Sequence, residues 1–129
     1  MAYVIDTHAL IWYLTDNKNL GEKARNILRL TDISKEKIII PSIVLAEVLY
    51  ICENKEVGIK FNDILEKLDN SNNYFCYDLN LEVVLKLDEL KKIKEIHDRV
   101  IVATALLTNA MILTKDKNIR DSKYTDTIW

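Results

Sequence analysis

The sequence predicts an α/β protein with a mainly parallel sheet of four to five strands and helices on both faces. Three observations predict it. Short apolar runs of three or four residues alternate with longer helical runs along the whole chain. Polar clusters such as Asp16-Asn17-Lys18-Asn19 and Asn70-Ser71-Asn72-Asn73 punctuate them. Helical runs separate the strands, which is the connection that parallel strands require.

The elements follow in order. Ala2–Ile5 reads as the first strand and ends at Asp6. Thr7–Leu14 has helical composition, and Asp6 or Thr7 is placed to cap it. Residues 21–30 are amphipathic, with Ala24, Ile27 and Leu28 on one side. Residues 37–40 are the second strand, stopped by Pro41, and Ser42 is placed to cap a helix over about 43–53. A helix over 59–68 leads to a third strand, Tyr74–Tyr77. Asn80 opens a helix to about residue 92, and Asp98 opens another to about residue 108, ended by Asn109. Residues 111–114 are the fourth strand. Residues 115–125 read as irregular, and Thr127-Ile128-Trp129 as a short last strand.

With 129 residues, 49% of them hydrophobic, the chain reads as one globular domain over 1–129. Its two glycines, Gly21 and Gly58, lie too far apart for either glycine-rich phosphate loop. Two cysteines (Cys52, Cys76) and two histidines (His8, His97) cannot complete a structural zinc site without carboxylates. Cysteines without a spacing pattern suit reduced thiols in a cytoplasm, and both are expected as buried apolar fillers. Asp6 and His8 interrupt the apolar start, so no export signal is legible. The most apolar window, 38–52, is too short to span a bilayer. Net charge is -2, unevenly spread. Residues 86–123 carry nine basic and six acidic side chains, a surplus that suits either an anionic partner or plain solvated helix faces.

Open α/β sheets place their ligand beyond the carboxyl ends of the strands. Four acids fall there: Asp6, Glu47, Asp98 and Asp116. Three have an ordinary structural role open to them. Asp6 and Asp98 suit helix N-caps, and Asp116 suits a turn. Glu47 is the only charge between Ile38 and Cys52, on a helix whose neighbours Val44, Leu45, Ala46, Val48 and Leu49 predict burial all round. A carboxylate there needs a partner, either a Lys or Arg or a metal. Converging carboxylates repel each other unless a cation is present, and oxygen donors select Mg²⁺ or Mn²⁺. Such ions activate water and neutralise charge on a phosphodiester in its transition state.

Four segments then resemble, in order, the motifs of PIN-domain ribonucleases, and most of all the VapC-type toxins of toxin–antitoxin pairs. They are Val4-Ile5-Asp6-Thr7-His8-Ala9-Leu10-Ile11-Trp12, Pro41-Ser42-Ile43-Val44-Leu45-Ala46-Glu47, His97-Asp98-Arg99-Val100-Ile101-Val102-Ala103-Thr104-Ala105 and Leu113-Thr114-Lys115-Asp116-Lys117-Asn118-Ile119. The third is the most specific. One departure is Lys94-Glu95-Ile96-His97, where many relatives carry a His-x-Asp-Pro lead-in. The resemblance implies a three-layer αβα sandwich of PIN type. It implies a metal-dependent endoribonuclease acting on tRNA or another structured RNA with single-stranded loops. Asp6 and Asp98 would be the main metal ligands, completed by Glu47 and Asp116. Thr7, Thr114 and Asp121 would support them, and Arg99, Lys115, Lys117, Arg120 and Lys123 would hold RNA. An antitoxin protein would be the partner, in a homodimer or a toxin–antitoxin hetero-oligomer. Trp12, Tyr13, Leu14, Leu49 and Tyr50 offer a groove for it or belong to the core.

Two other readings remain at this point. A receiver-type phosphoacceptor domain has a similar length, an acidic Mg²⁺ site and a Thr-Lys pair, here Thr114-Lys115, with Asp78 as the nearest acceptor. A non-catalytic PIN-like domain would bind RNA or a partner without cutting.

Overall fold

Val4, Ile5, Ile112 and Leu113 are fully buried, as central strands of a parallel sheet require. The structure, a computed structural model, describes residues 1–129. The strands are β1 (Ala2–Ile5), β2 (Lys37–Pro41), β3 (Tyr74–Tyr77), β4 (Met111–Leu113) and β5 (Thr127–Ile128). All are parallel, in the order β3-β2-β1-β4-β5. Seven helices connect them: α1 (Thr7–Leu14), α2 (Glu22–Asp32), α3 (Ser42–Asn54), α4 (Phe61–Asp69), α5 (Leu81–Leu87), α6 (Ile96–Thr108) and α7 (Lys117–Ser122). No helix is long and apolar enough to cross a membrane.

One cluster of 27 buried apolar residues joins sheet and helices. Leu10 of α1, Leu28 of α2, Val44 and Val48 of α3 and Val102 of α6 all enter it. Burying each such side chain stabilises the fold by roughly 1.5–3 kcal/mol relative to exposing it. Leu90 and Ile93 dock the segment between α5 and α6 onto the same core.

The chain steps leftward from β1 to β2 to β3, then returns to β4 beside β1. The direction of winding therefore reverses between β1 and β4. Loops diverge at such a switch point and leave a crevice beyond the strand ends. Ile5 pairs with Leu113 in that register, so the next residues, Asp6 and Thr114, stand side by side at the crevice.

Several boundaries differ from the sequence reading, each for a local reason. Pro41 continues β2, paired with Tyr77, and Ser42 is already helical. Its hydroxyl accepts from the Leu79 N–H instead of capping α3. Helix α5 stops at Leu87, because Leu90 and Ile93 bond three residues back in tight turns rather than four. Helix α6 starts before Asp98, capped by Glu95. Residues 117–122 are a short helix where irregular chain was expected. Helix α3 is not buried all round: Leu49 is 38% and Tyr50 64% exposed. Neither cysteine is a buried filler, since Cys52 is partly and Cys76 openly exposed.

Candidate active site

Asp6 follows β1 and has two roles at once. One carboxylate oxygen, Oδ1, accepts from the Ala9 N–H at 2.9 Å and caps α1. The other, Oδ2, accepts from the Thr114 hydroxyl. Thr114 is fully buried at the end of β4, and its Oγ1 in turn accepts from the Asp116 N–H at 3.0 Å. One hydroxyl therefore ties the ends of β1 and β4 together. Asp116 itself caps α7 by accepting from the Ile119 N–H at 2.9 Å. Asp6 is thus the helix cap expected of it, Asp116 is a helix cap where a turn residue was expected, and both also line the cavity described next.

Glu47 comes from the second turn of α3. Its partner is neither Lys nor Arg but Thr7, whose hydroxyl donates to Oε1 at 3.1 Å. Asp98 lies in the first turn of α6, where the positive end of the helix dipole favours a carboxylate. It is not the cap. Glu95 caps α6, accepting from the Asp98 N–H at 2.9 Å through Oε2 and meeting His97 Nδ1 at 2.6 Å through Oε1.

The four acids line one cavity of about 450 Å³, with Thr7, His8, Trp12, Ile101, Lys115, Lys117 and Trp129. None of the four forms a salt bridge. Two of them, Asp98 and Asp6, hold their protons more tightly than a free carboxyl. Burial pushes Asp98 up to about 7, reinforced by the charges of Asp116, Glu95, Glu47 and Asp6. Burial also raises Asp6, against the hydrogen bonds from Thr114 and Ala9. Glu95 is the exception. Hydrogen bonds from His97 and the Asp98 N–H outweigh its burial and hold it below the usual range. The same bond to Glu95 raises His97.

A hard divalent cation fits this donor set. Four carboxylates with no cationic partner share one cavity, and no cysteine lines it. As they stand, no three His, Cys, Asp or Glu side chains are gathered closely enough to enclose an ion.

The remaining candidates divide. Thr7 lies in the cavity wall and Thr114 immediately behind Asp6. Asp121 is exposed and pairs with Lys117 at 3.1 Å, outside the cavity. Lys115 and Lys117 are at the rim. Arg120 and Lys123 are exposed on or just after α7 but do not line it. Arg99 is turned away, its Nε donating to the Ile93 carbonyl at 2.6 Å. The five groove residues are dispersed. Trp12 is in the acid cavity, while Tyr13 and Leu14 line a second cavity with Asp32 and Arg29. Tyr50 lines a third, beside Glu47 and His97. Asp78 follows the edge strand β3, outside the acid cavity, so the phosphoacceptor reading loses its acceptor.

Sequence reasoning did not place His8, Ile101 or Trp129 in the site. His8 has a legible signal in retrospect, since it is on the first turn of the helix that Asp6 caps. Trp129 has none, because its position depends on β5 lying beside β4.

A family model described as PIN domain matches residues 3–123. VapBC2 from Rickettsia felis, solved bound to a DNA fragment from its promoter, contains a similar chain. The TM-score is 0.72 at 23% identity, covering 99% of this chain and 98% of that one. FitAcB from Neisseria gonorrhoeae gives 0.70 at 16% identity, covering 100% and 97%. A toxin–antitoxin complex from Klebsiella pneumoniae gives 0.68 at 14%, covering 98% and 96%. At these identities the likeness is one of fold. No individually curated protein matches the chain.

Proposed function

The chain belongs to the PIN-domain family, and from that premise we propose that it is a divalent-metal-dependent endoribonuclease, the toxin of a toxin–antitoxin pair. The observation that carries this reading is the cavity at the switch point. Four carboxylates line it, none is paired with a basic side chain, and Asp98 is raised to about 7. Perturbed acids in a crevice are a mark of functional sites.

Asp6 and Asp98, with Glu47 and Asp116, would hold Mg²⁺ or Mn²⁺. When bound, such an ion supplies an activated water and neutralises charge developing on a phosphodiester. The protein's own groups do the positioning. Thr114 fixes the carboxylate of Asp6 and the backbone of Asp116. Thr7 fixes Glu47, and Glu95 fixes the first turn beneath Asp98. Lys115 and Lys117 at the rim attract phosphates of RNA. Single-stranded loops of tRNA or another structured RNA are the expected targets, because their splayed bases and backbone reach into a cleft. The partner would be a cognate antitoxin protein, with the chain as a homodimer or in a hetero-oligomer, in the cytoplasm. The similar solved chains support this, since they come from toxin–antitoxin assemblies.

Total RNA, tRNA included, incubated with the protein and Mg²⁺ or Mn²⁺ tests the proposal, with chelator and Asp98→Asn as controls. Cutting that needs metal and is lost in Asp98→Asn is expected. Cutting that survives the substitution would sink the assignment. A PIN domain that binds without cutting is the second reading, and it draws on the loose gathering of the acids. Metal binding by calorimetry without any RNA cleavage would favour it.

A further inference from the structure

The chain has only two tryptophans, near its opposite ends, and both line the acid cavity. We propose that Trp12 and Trp129 form a stacking subsite that holds one unpaired nucleobase of a single-stranded RNA beside the carboxylates. The RNA identity of the strand rests on the ribonuclease reading. The subsite itself rests on the following geometry.

The two indole centroids are 5.9 Å apart with planes at 65°, an edge-to-face pair. Trp12 lies one helical turn after His8 on α1, and those rings are 5.5 Å apart. The Lys115 ammonium stands 5.0 Å from the Trp12 ring centre. Lys115 lies between Thr114 and Asp116, so the segment that holds two of the acid-site contacts also holds this cation. Trp129 follows β5 at the carboxyl edge of the sheet. Its place is cut to shape at Gly21, where a Cβ would come within 2.4 Å of the Trp129 backbone. Neither indole is sealed in the core, and both remain partly exposed.

Such a group has a role that the acids cannot fill. Four carboxylates repel the phosphate backbone, and a cation among them recognises phosphate rather than base. Affinity for the bases has to come from elsewhere in the cavity. Aromatic faces supply it without regard to sequence, because every base offers a π-face. Lys115 and Lys117 are then within the same cavity for the flanking phosphates. A strand bound this way presents an unpaired base to the indoles and its neighbouring phosphodiester to the acids. Duplex RNA keeps its bases stacked and cannot do this.

Because both tryptophans belong to the subsite, fluorescence excited at the red edge, where indole absorbs and the six tyrosines do not, reports on it. The test titrates short single-stranded oligoribonucleotides into the Asp98→Asn protein with Mg²⁺. Saturable quenching is expected, with none from a duplex of the same sequence. An oligonucleotide with an abasic residue at the stacked position is expected to bind roughly tenfold to a hundredfold more weakly. Trp12→Ala should lose a similar factor by labelled-RNA anisotropy, and Trp12→Phe should recover most of it. Abasic residues that leave affinity unchanged at every position overturn the proposal, and this arm needs no aromatic substitution to fold. Quenching only by a basic peptide, and not by RNA, also overturns it in favour of a protein partner. The two readings fail separately. Base-dependent quenching without metal-dependent cleavage by the unsubstituted protein retains the subsite and removes the nuclease. Cleavage indifferent to abasic residues retains the nuclease and removes the subsite.

Discussion

At the scale of residues, the site hangs on Thr114. Its hydroxyl donates to Asp6 and accepts from the Asp116 N–H, so a single buried atom sets the relation of two acids. Thr114→Val keeps the volume and removes both bonds. The orphaned groups are partly buried, so the substitution should lower stability by about 1–3 kcal/mol in denaturant unfolding. It should also cost cleavage about tenfold to a hundredfold, the usual effect of losing a group that orients a metal ligand. Unchanged cleavage would mean that Asp6 finds its place without Thr114. Asp6 and Asp116 permit a cleaner separation of roles. Asn caps helices as well as Asp does, so Asp6→Asn and Asp116→Asn should keep stability and lose activity. If activity survives in either variant, capping is that residue's main contribution. Asp6, Asp98 and Asp116 were legible in the sequence because each lies just after a strand or near a helix start, and Glu47 because it is the only charge in an apolar run. Thr114's support was expected only through the family resemblance, because its bond to Asp6 joins residues 108 positions apart.

At the scale of elements, two of the boundaries that differ from expectation, the start of α6 and helix α7, adjoin the site. The sequence reading gave the α6 cap to Asp98, since Asp is a preferred cap. The cap is Glu95, three residues earlier, and this frees Asp98 to face the cavity. Helix α7 was read as irregular because its six residues, Lys117–Ser122, carry little apolar pattern. It forms because Asp116 caps it and Ile119 enters the core. Helix α3 was expected to be buried all round, yet it packs through Val44 and Val48 and leaves Tyr50 outside. Composition reveals that a helix is apolar, not how many neighbours it has. Glu95 gives this scale its prediction. Glu95→Ala removes the acceptor for the Asp98 N–H and should cost about 1 kcal/mol of stability. Glu95→Gln keeps a carbonyl oxygen for that N–H and should cost little. Paired unfolding curves decide it, and equal losses would show that charge rather than capping matters at this helix start.

At the scale of the whole molecule, the fold concentrates negative charge at one edge and is strained by it electrostatically. Asp98 is raised to about 7 from a model-compound value of 3.8, first by burial and then by its acidic neighbours. For an acid raised by folding, the sign is fixed. Its stabilising contribution is complete below the unfolded value and is lost as pH rises through the folded one. Asp6, raised as well, acts in the same direction. So does His97, raised above 6.5 by Glu95, since its bound proton is also lost as pH rises. Glu95 is lowered from 4.5, so its contribution fades only at more acidic pH. The metal-free protein should therefore melt at a higher temperature near about pH 5 than near about pH 8. Asp98→Asn should reduce that difference and raise the midpoint at the alkaline end. Mg²⁺ or Mn²⁺ should do the same for the unsubstituted protein, because a ligand that binds only the folded state stabilises it, and chelator should reverse the gain. Scanning calorimetry across pH, with and without metal, makes the comparison. A midpoint that ignores both pH and metal would mean the four carboxylates do not interact, and the charge argument for the site would fall with it.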